Sequence, residues 1–178
     1  MHHPDSSDGP GRFHSGQIGV PPWAAVTHVL IRPAAVTDFA SIARLVSELG
    51  YPTSPSQMQR RLEAILDDYD YDTLVACEGD HIVGFVGTRS GPLFEADGQY
   101  GQIMALAVAA SHHRRGVGQM LMQAAESKLV ERGARELVVT SGNHRSGAHA
   151  FYESCGYTFT GRRYKKSLGA GALEPADE

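Results

Sequence analysis

The sequence predicts an α/β domain in which a mixed sheet is flanked by helices. Two observations carry this prediction: β-rich apolar runs alternate with segments of helical periodicity, and two of the runs are joined by a tight turn at 78–80. A hairpin makes antiparallel neighbours, so a mixed, mostly antiparallel sheet is expected instead of a purely parallel one. The predicted order is βααβββαβαβ, with about six to seven strands and four helices.

Capping and turn residues set the element boundaries. The predicted strands lie at 27–31, 73–77, 81–88, 102–109, 135–140 and 157–164. Thr37 or Asp38 can cap the first helix, and Ser54 followed by Pro55 is typical of the start of the second. The third and fourth helices are expected at 117–132 and 146–155. Glycines at 50, 133 and 156 are expected to end three of the four helices.

The chain length of 178 residues fits one well-buried domain, which we assign to 23–168. Residues 1–22 are rich in Gly, Pro, Ser and His without apolar periodicity, and 169–178 are similar. Both ends are therefore predicted to be a flexible leader and a flexible tail.

Charge and composition limit the partners. The net charge of −4 argues against nucleic acid, and no apolar run is long enough to span a membrane. Two distant cysteines without metal-ligand spacing indicate reduced thiols in a cytoplasmic protein. From Arg114 to Lys166 there are ten basic and four acidic residues, so the second half favours an anionic ligand.

The segment 113–118 places Gly116 and Gly118 where a strand leads into a helix. Unpaired N–H groups, the positive end of the helix dipole and the arginines 114 and 115 would all favour a pyrophosphate there. A P-loop would need a Gly-Lys-Ser/Thr ending that is absent, and a dinucleotide fingerprint would need a small residue in place of Leu121.

The run Ile103–Leu121 resembles the acetyl-CoA signature of the GNAT superfamily, and Asn143–Tyr157 resembles its later signature. The resemblance covers about residues 28–165 and implies a GNAT-like fold and an acyltransferase that moves an acetyl group from acetyl-CoA to an amine. His113 departs from the family pattern, which usually has Gln or Arg at that position.

The resemblance also implies a cofactor site. A bulged fourth strand would leave the backbone of residues 106–108 open to the pantetheine arm, amides of the turn would hold the pyrophosphate, and the fourth helix would flank the thioester. The implied cofactor-binding residues are Leu106, Ala107, Val108, His113, Arg114, Arg115, Gly116, Val117, Gly118, Gln119, Asn143 and Ala148.

Family similarity places Tyr152 beside the cofactor sulfur, where a phenol can protonate the departing thiolate as a general acid. The alternative is a core tyrosine with a satisfied hydroxyl. The attacking amine also needs a base or a water chain, for which Glu95, Asp97, Gln102, His144 and His149 are candidates that spacing does not separate. We assign Cys155 a packing role instead of an acyl-carrier role.

The acceptor is expected to be the primary amine of a small molecule. The segments Leu49–Pro52 and Thr140–His149 look like the branch that contains aminoalkylphosphonate and aminoglycoside 6′-type acetyltransferases. The acidic segment Asp67–Asp72 could attract a cationic amine or could be a solvated loop.

Other functions stay open at this point. A noncatalytic acyl-CoA-binding regulator, a protein or peptide N-acetyltransferase and a nucleotide-binding module are the alternatives. No metal is expected, because neither His112/His113 nor His144/His149 shares a helical face. The family resemblance implies a homodimer, and the basic last strand is either near that partner or a charged, solvated edge.

Overall fold

A computed structural model describes residues 28–142, 145–166 and 168, and its five strands form one mixed sheet. The strands are β1 (Val29–Pro33), β2 (Tyr71–Glu78), β3 (His81–Pro92), β4 (Gln99–Val108) and β5 (Ala134–Val139). The helices are α1 (Phe39–Glu48), α2 (Pro55–Asp67), α3 (Val117–Glu131) and α4 (Ser146–Ser154). The predicted fold class, with its hairpin between β2 and β3, is confirmed. The leader 1–22, the tail 169–178, Asn143 and His144 lie outside the described residues.

The strands lie side by side in chain order. All neighbours are antiparallel except β4 and β5, which run parallel because α3 carries the chain back between them. Alternate strand residues face opposite sides of the sheet, so Val75 and Phe85 pack in one core cluster with α1 and α2, while Leu74 and Val86 pack in a second cluster with α3. The sheet is thus covered on both faces.

The predicted last strand at 157–164 does not form among the described residues, so the sheet has five strands instead of six or seven. Phe159 and Tyr164 are 82% and 86% exposed, so this segment buries no apolar face that would hold it against the sheet. Tyr157 is held in place, because its hydroxyl donates to Glu126 Oε1 at 3.0 Å, and the exposed part of the segment follows it.

Local capping signals are accurate at α2 and at the helix ends. Ser54 Oγ accepts from Gln57 N at 3.2 Å while Gln57 Oε1 accepts from Ser54 N at 2.9 Å, which is a capping box. Gly50 ends α1 with a φ of 93°, a conformation that glycine adopts without the steric penalty of a Cβ.

The cap expected at α1 is wrong in its chemistry. Asp38 occupies the N-cap position but makes no side-chain bond to the helix. Its carboxylate instead accepts two bonds from the Arg32 guanidinium, at 2.7 and 2.9 Å, and one from Ala35 N at 2.8 Å. A bidentate charged partner competes better for a carboxylate than a single helix amide does. Asp38 therefore joins β1 to the start of α1.

We expect Asp38→Asn to lower the free energy of unfolding by about 1–3 kcal/mol at pH 7, because it leaves the Arg32 pair without its acceptor charge. The Arg32 bonds hold the pKa of the Asp38 carboxyl below its usual value. A lowered native pKa means that the stabilisation is complete above the ordinary carboxyl value near 4 and is lost as the pH falls through the native value. Urea unfolding at pH 7 and at pH 3 should show the cost of the substitution shrinking in acid, whereas Asp80→Asn in the exposed hairpin turn should be nearly neutral at both.

Candidate acetyl-transfer site

The sheet opens where β4 passes the end of β5. Gly87 pairs with Ala105 while Thr88 pairs with Ile103, so Met104 has no partner on β3 and forms a bulge. The parallel pairing with β5 stops at Ile103, opposite Val139. The last four residues of β4, after the bulge, therefore have β3 on one side and no β5 partner on the other.

The hydrogen-bond alternation tells which backbone groups face this open edge. Ala109 N donates to Val83 O at 2.8 Å, and alternate pairs of an antiparallel ladder exchange bonds, so Ala107 directs its N–H and C=O toward Phe85. Leu106 and Val108 then direct theirs toward the open edge. The expectation that all three residues from 106 to 108 have open backbone is corrected here: Ala107 is buried and its backbone belongs to the sheet.

The turn between β4 and α3 has a backbone shape that can bind an anion. We call residues 113–119 the anion cradle. Arg114 and Gly116 both have positive φ, 58° and 83°, and α3 starts directly after them. The first helical bond is made by Met120 N to Gly116 O at 3.0 Å, so the N–H groups of residues 117–119 have no acceptor within the helix. Such N–H groups, at the positive end of a helix dipole, favour a phosphate.

Three side-chain contacts shape this turn. The His113 ring Nε2 lies 2.8 Å from Val108 O, so the residue that departs from the family pattern ties the turn back to the open edge. Glu78, at the hairpin, contacts His112 Nε2 at 3.0 Å and accepts from Arg115 at 2.9 Å. These bonds hold the pKa of the Glu78 carboxyl below its usual range. Arg115 is paired with Glu78, whereas the Arg114 side chain has no partner among the described residues. Arg114 is therefore the arginine of this turn that is available to an anion.

The fourth helix lies against the first turn of α3 because Gly118 has no side chain. A Cβ there would lie 3.2 Å from two ring carbons of Phe151. Phe151 and Tyr152 are in edge contact, with ring centroids 5.4 Å apart. The contact between Gly118 and Phe151 therefore sets the position of α4 against α3. It also sets the position of Tyr152, which follows Phe151 in α4.

Tyr152 is half-buried and its hydroxyl makes no hydrogen bond to a residue of the described ranges. Burial raises the pKa of its phenol, Arg145 opposes that rise, and Cys155 adds to it. The phenol is thus protonated at neutral pH and can donate. Tyr157, by contrast, already donates to Glu126. Ala148 lies one turn before Tyr152 and shares its helix face.

Not all of the candidate bases lie near the open edge of β4. Glu95 and Asp97 lie in the exposed loop before β4, and the strand from Gln99 to Leu106 spans about 20 Å, so neither reaches the open edge. The His149 ring Nε2 lies 3.0 Å from Gly142 O, which gives this side chain a structural role. Gln102 lies on β4, paired with Arg89 on β3 and Val138 on β5, one residue before the pairing with β5 ends. Burial raises the pKa of the Cys155 thiol, which keeps it protonated and disfavours an acyl-carrier role.

The acidic segment 67–72 is held at the far end of α3. Asp72 Oδ2 lies 2.6 Å from Arg132 Nε and Asp72 Oδ1 lies 3.6 Å from Lys128 Nζ. The first contact is an ion pair without good hydrogen-bond angles, since that oxygen has no hydrogen-bond partner among the described residues. The Arg132 guanidinium also lies 4.7 Å from the Tyr69 ring centre. A 15-residue helix is about 22 Å long, so this segment is remote from the anion cradle.

The family follows from comparison of the sequence. The model of the acetyltransferase (GNAT) family matches residues 39–157, more than half of the chain. The chain belongs to the GNAT acetyltransferase family. Its match to YsnE, an uncharacterized N-acetyltransferase of Bacillus subtilis (strain 168), is 33% identical over 86 residues, 47% of this chain. The match spans 54% of YsnE, about half of that relative.

Solved structures share the GNAT fold. An aminoglycoside acetyltransferase, meta-AAC0020, from an uncultured soil metagenomic sample in complex with sisomicin has a TM-score of 0.70 at 21% identity, over 80% of this chain and 98% of its own. A transcriptional regulator from Bacillus halodurans C-125 has a TM-score of 0.72 at 23% identity, over 79% of this chain and all of its own. At these identities the likeness shows a common fold.

Three features of this GNAT site had no signal in the sequence. The contacts of Glu78 with the turn, the approach of Phe151 to Gly118 and the bond from Arg145 to the Leu49 carbonyl all join residues far apart in the chain. Within the described ranges, the structure contains no group of three or more His, Cys, Asp or Glu side chains placed to hold a metal ion. No helix among those residues is long and apolar enough to cross a membrane.

Asp72→Asn tests the two interpretations of the acidic segment. We expect the variant to lose about 1–3 kcal/mol of unfolding free energy, because Arg132 loses the charge it is paired with. Its KM for any amine that this GNAT protein acetylates should be unchanged, since the segment lies at the far end of α3. Thermal unfolding and steady-state kinetics measure both effects, and a several-fold rise in KM without loss of stability would restore the amine-attracting interpretation.

Proposed function

We propose that this protein is an acetyl-CoA-dependent N-acetyltransferase that moves the acetyl group directly to the primary amine of a small molecule. The observation that carries the proposal is the convergence of three features: the anion cradle before α3, the open edge of β4, and a protonated tyrosine on α4 packed against the first turn of α3. A pyrophosphate, an extended amide chain and a thiol leaving group match these features in that order.

The residues present fit acetyl-CoA. The open backbone groups of Leu106 and the N–H of Val108, whose carbonyl is already contacted by His113, would pair with the pantetheine arm as an added strand. The N–H groups at the start of α3 and the Arg114 side chain would hold the pyrophosphate. The residues that we assign to cofactor binding are Leu106, Val108, His113, Arg114, Arg115, Gly116, Val117, Gly118, Gln119, Asn143 and Ala148, with Ala107 supporting them from the sheet. When bound, acetyl-CoA supplies the activated thioester.

Tyr152 is proposed as the general acid. Its phenol keeps its proton at neutral pH because burial raises its pKa, and the hydroxyl has no partner among the described residues that would compete for the proton. The proton would pass from the Tyr152 oxygen to the departing thiolate sulfur as the C–S bond breaks and the C–N bond forms. Backbone N–H groups at the open edge would stabilise the negative charge on the carbonyl oxygen.

The amine must lose a proton before it can attack, because an ammonium has no lone pair. Of the four candidates that the structure describes, Gln102 lies on β4 next to the point where the sheet opens, whereas His149 is bonded to Gly142 and the loop carboxylates are remote. We assign the relay to Gln102 with water.

A small-molecule amine is the proposed acceptor class. The aminoglycoside acetyltransferase that shares this fold supports it, as does the sequence resemblance at 49–52 and 140–149. Free Cys77 and Cys155 support a cytoplasmic setting. The expected homodimer stays a prediction, for which light scattering after gel filtration is the measurement.

The test is a calorimetric titration followed by a thiol-release panel. Acetyl-CoA should bind, and ATP and NAD should bind at least about tenfold more weakly because neither has a pantetheine arm for the open edge. Thiol release should then depend on small amines, among them aminoglycosides and aminoalkylphosphonates. Acetyl-CoA binding without turnover would favour a regulator. Turnover with peptide N-termini alone would show that the acceptor is a protein or peptide. Absence of acetyl-CoA binding would refute the proposal.

A further inference from the structure

Arg145, at the start of α4, forms a hydrogen bond with the end of α1. Its guanidinium donates to the carbonyl oxygen of Leu49, the C-cap residue of α1, which is 96 positions away in the chain. The carbonyls of a helix C-terminus have no helical partners and carry the negative end of the dipole, so a cation there is favourable. This bond joins the helix that carries Tyr152 to the segment between α1 and α2.

Arg145 is itself held at its backbone. Its N–H donates to Gly142 O at 3.1 Å, and its carbonyl accepts from Ala148 N at 3.0 Å and His149 N at 3.1 Å. The His149 ring also contacts Gly142 O, which fixes the same turn from the side. These bonds fix the backbone of Arg145, from which its guanidinium extends to the Leu49 carbonyl.

We call residues 49–53 the link segment. Its far end is tied down locally: Thr53 N donates to Ser47 Oγ at 3.1 Å, and Arg61 donates to Thr53 Oγ1 at 3.3 Å. Its near end turns at Gly50 and is bonded to Arg145. The Arg145 bond therefore connects the link segment with α4, while the Ser47 and Arg61 bonds hold it to α1 and α2.

Arg145 is the N-cap residue of α4 and precedes Tyr152 by seven residues, which is two helical turns, so Tyr152 lies on the helix face that begins at Arg145. The groups around the phenol are Arg145 from the start of α4, Cys155 from its last turn and Tyr157 beyond it, whose hydroxyl is taken by Glu126 of α3. Among these groups Arg145 is the cation.

From this geometry we propose that Arg145 is a positioning residue that sets Tyr152 for proton donation and fixes the link segment as one wall of the amine site. The inference rests on the proposed function and adds a connection to it: one side chain joins the wall of the acceptor site to the acid. Removing the cation would leave the phenol a weaker acid, because the interaction that opposes the burial effect on its pKa is lost.

A double-mutant cycle separates the two roles. Arg145→Gln should lower kcat about tenfold and raise KM for the amine several-fold, with the affinity for acetyl-CoA unchanged. In a Tyr152→Phe background the effect of Arg145→Gln on kcat should vanish while the rise in KM persists. Arg145→Lys, which keeps the charge, should recover part of kcat. A drop in kcat of equal size in both backgrounds would overturn the connection to Tyr152.

Arg44→Gln is the matched control, because Arg44 also donates from its guanidinium to a backbone carbonyl, that of Ile82, at 3.0 Å, but away from α4. It should leave kcat and KM near the wild-type values. An equal loss in Arg44→Gln and Arg145→Gln would show that the effect is a general loosening of α1.

Hydrogen exchange gives a readout that does not depend on turnover. In Arg145→Gln the amides of the link segment should exchange at least about fivefold faster, and in Arg44→Gln they should not. If the wild-type protein bound acetyl-CoA but acetylated no amine, the proposed function would fail while exchange still decided whether Arg145 holds the link segment. Unchanged exchange in both Arg145→Gln and Arg145→Lys would overturn the inference in an active enzyme.

Discussion

Replacing Tyr152 with phenylalanine should lower kcat for amine acetylation by about 100-fold to 1,000-fold, with acetyl-CoA binding unchanged, because the ring stays and the acid is lost. Tyr157→Phe is the matched control, since it removes a neighbouring hydroxyl that donates to Glu126 and has no proposed part in the reaction. That variant should keep its kcat and lose a little stability.

The pH profile adds a second test of the same residue. A general acid works while it is protonated, and burial raises the pKa of Tyr152 above the ordinary phenol value near 10. The activity should therefore show no decline from Tyr152 ionisation below about pH 10. Full activity of Tyr152→Phe with every accepted amine would show that another group or water protonates the thiolate.

The second large effect is expected at Gly116. Its φ of 83° places it in the left-handed region, where a Cβ costs about 1–2 kcal/mol. In Gly116→Ala the turn should relax toward negative φ and swing the amides of the cradle away from the phosphates. Acetyl-CoA affinity should fall by at least about tenfold, which corresponds to about 1.4 kcal/mol.

Gly133 gives a control at the other end of the same helix. It has a φ of 87° and open space where a Cβ would stand, so Gly133→Ala should cause the same kind of backbone strain without touching the cradle. Both variants should lose similar unfolding free energy, and the loss of acetyl-CoA affinity should be confined to Gly116→Ala. Equal acetyl-CoA affinities for the two variants, measured by calorimetry, would show that the cradle does not contribute to binding.

Much of the fold was predictable because its signals are local. Ser54 and Gln57 form a capping box three residues apart, and the stops at Gly50, Gly133 and Gly156 depend on one residue's φ. The hairpin follows from a two-residue turn between Glu78 and His81. In each case the residues that decide the structure are neighbours in the chain.

The errors arise where tertiary packing decides. The segment at 157–164 has β-forming residues, yet beyond Tyr157 its aromatic side chains, Phe159 and Tyr164, are exposed, so β propensity alone does not make it a strand. On α3, Met122 is 1% exposed because α4 and the sheet together cover a wider stripe of that helix than one amphipathic face. The sequence predicts Asp38 as a helix cap because its contact with Arg32 depends on how β1 packs beside α1.

The candidate site divides in the same way. The cradle glycines and Tyr152 were identified from motifs, which are local sequence patterns. The roles of Glu78 and Arg145 depend on hydrogen bonds that span 34 to 96 positions of the chain. Such contacts follow from the assembled sheet and helices, and a single sequence gives no way to pair the residues.

The most direct test of the central claim is mass spectrometry of a reaction that contains the protein, acetyl-CoA and an accepted small amine. Direct transfer should give one acetylated amine for each free thiol released, with the protein itself unmodified at Cys155 and elsewhere. Acetyl-CoA that stays intact with every amine, or an acetyl group that appears on the protein before it reaches the amine, would rule out direct transfer by this protein.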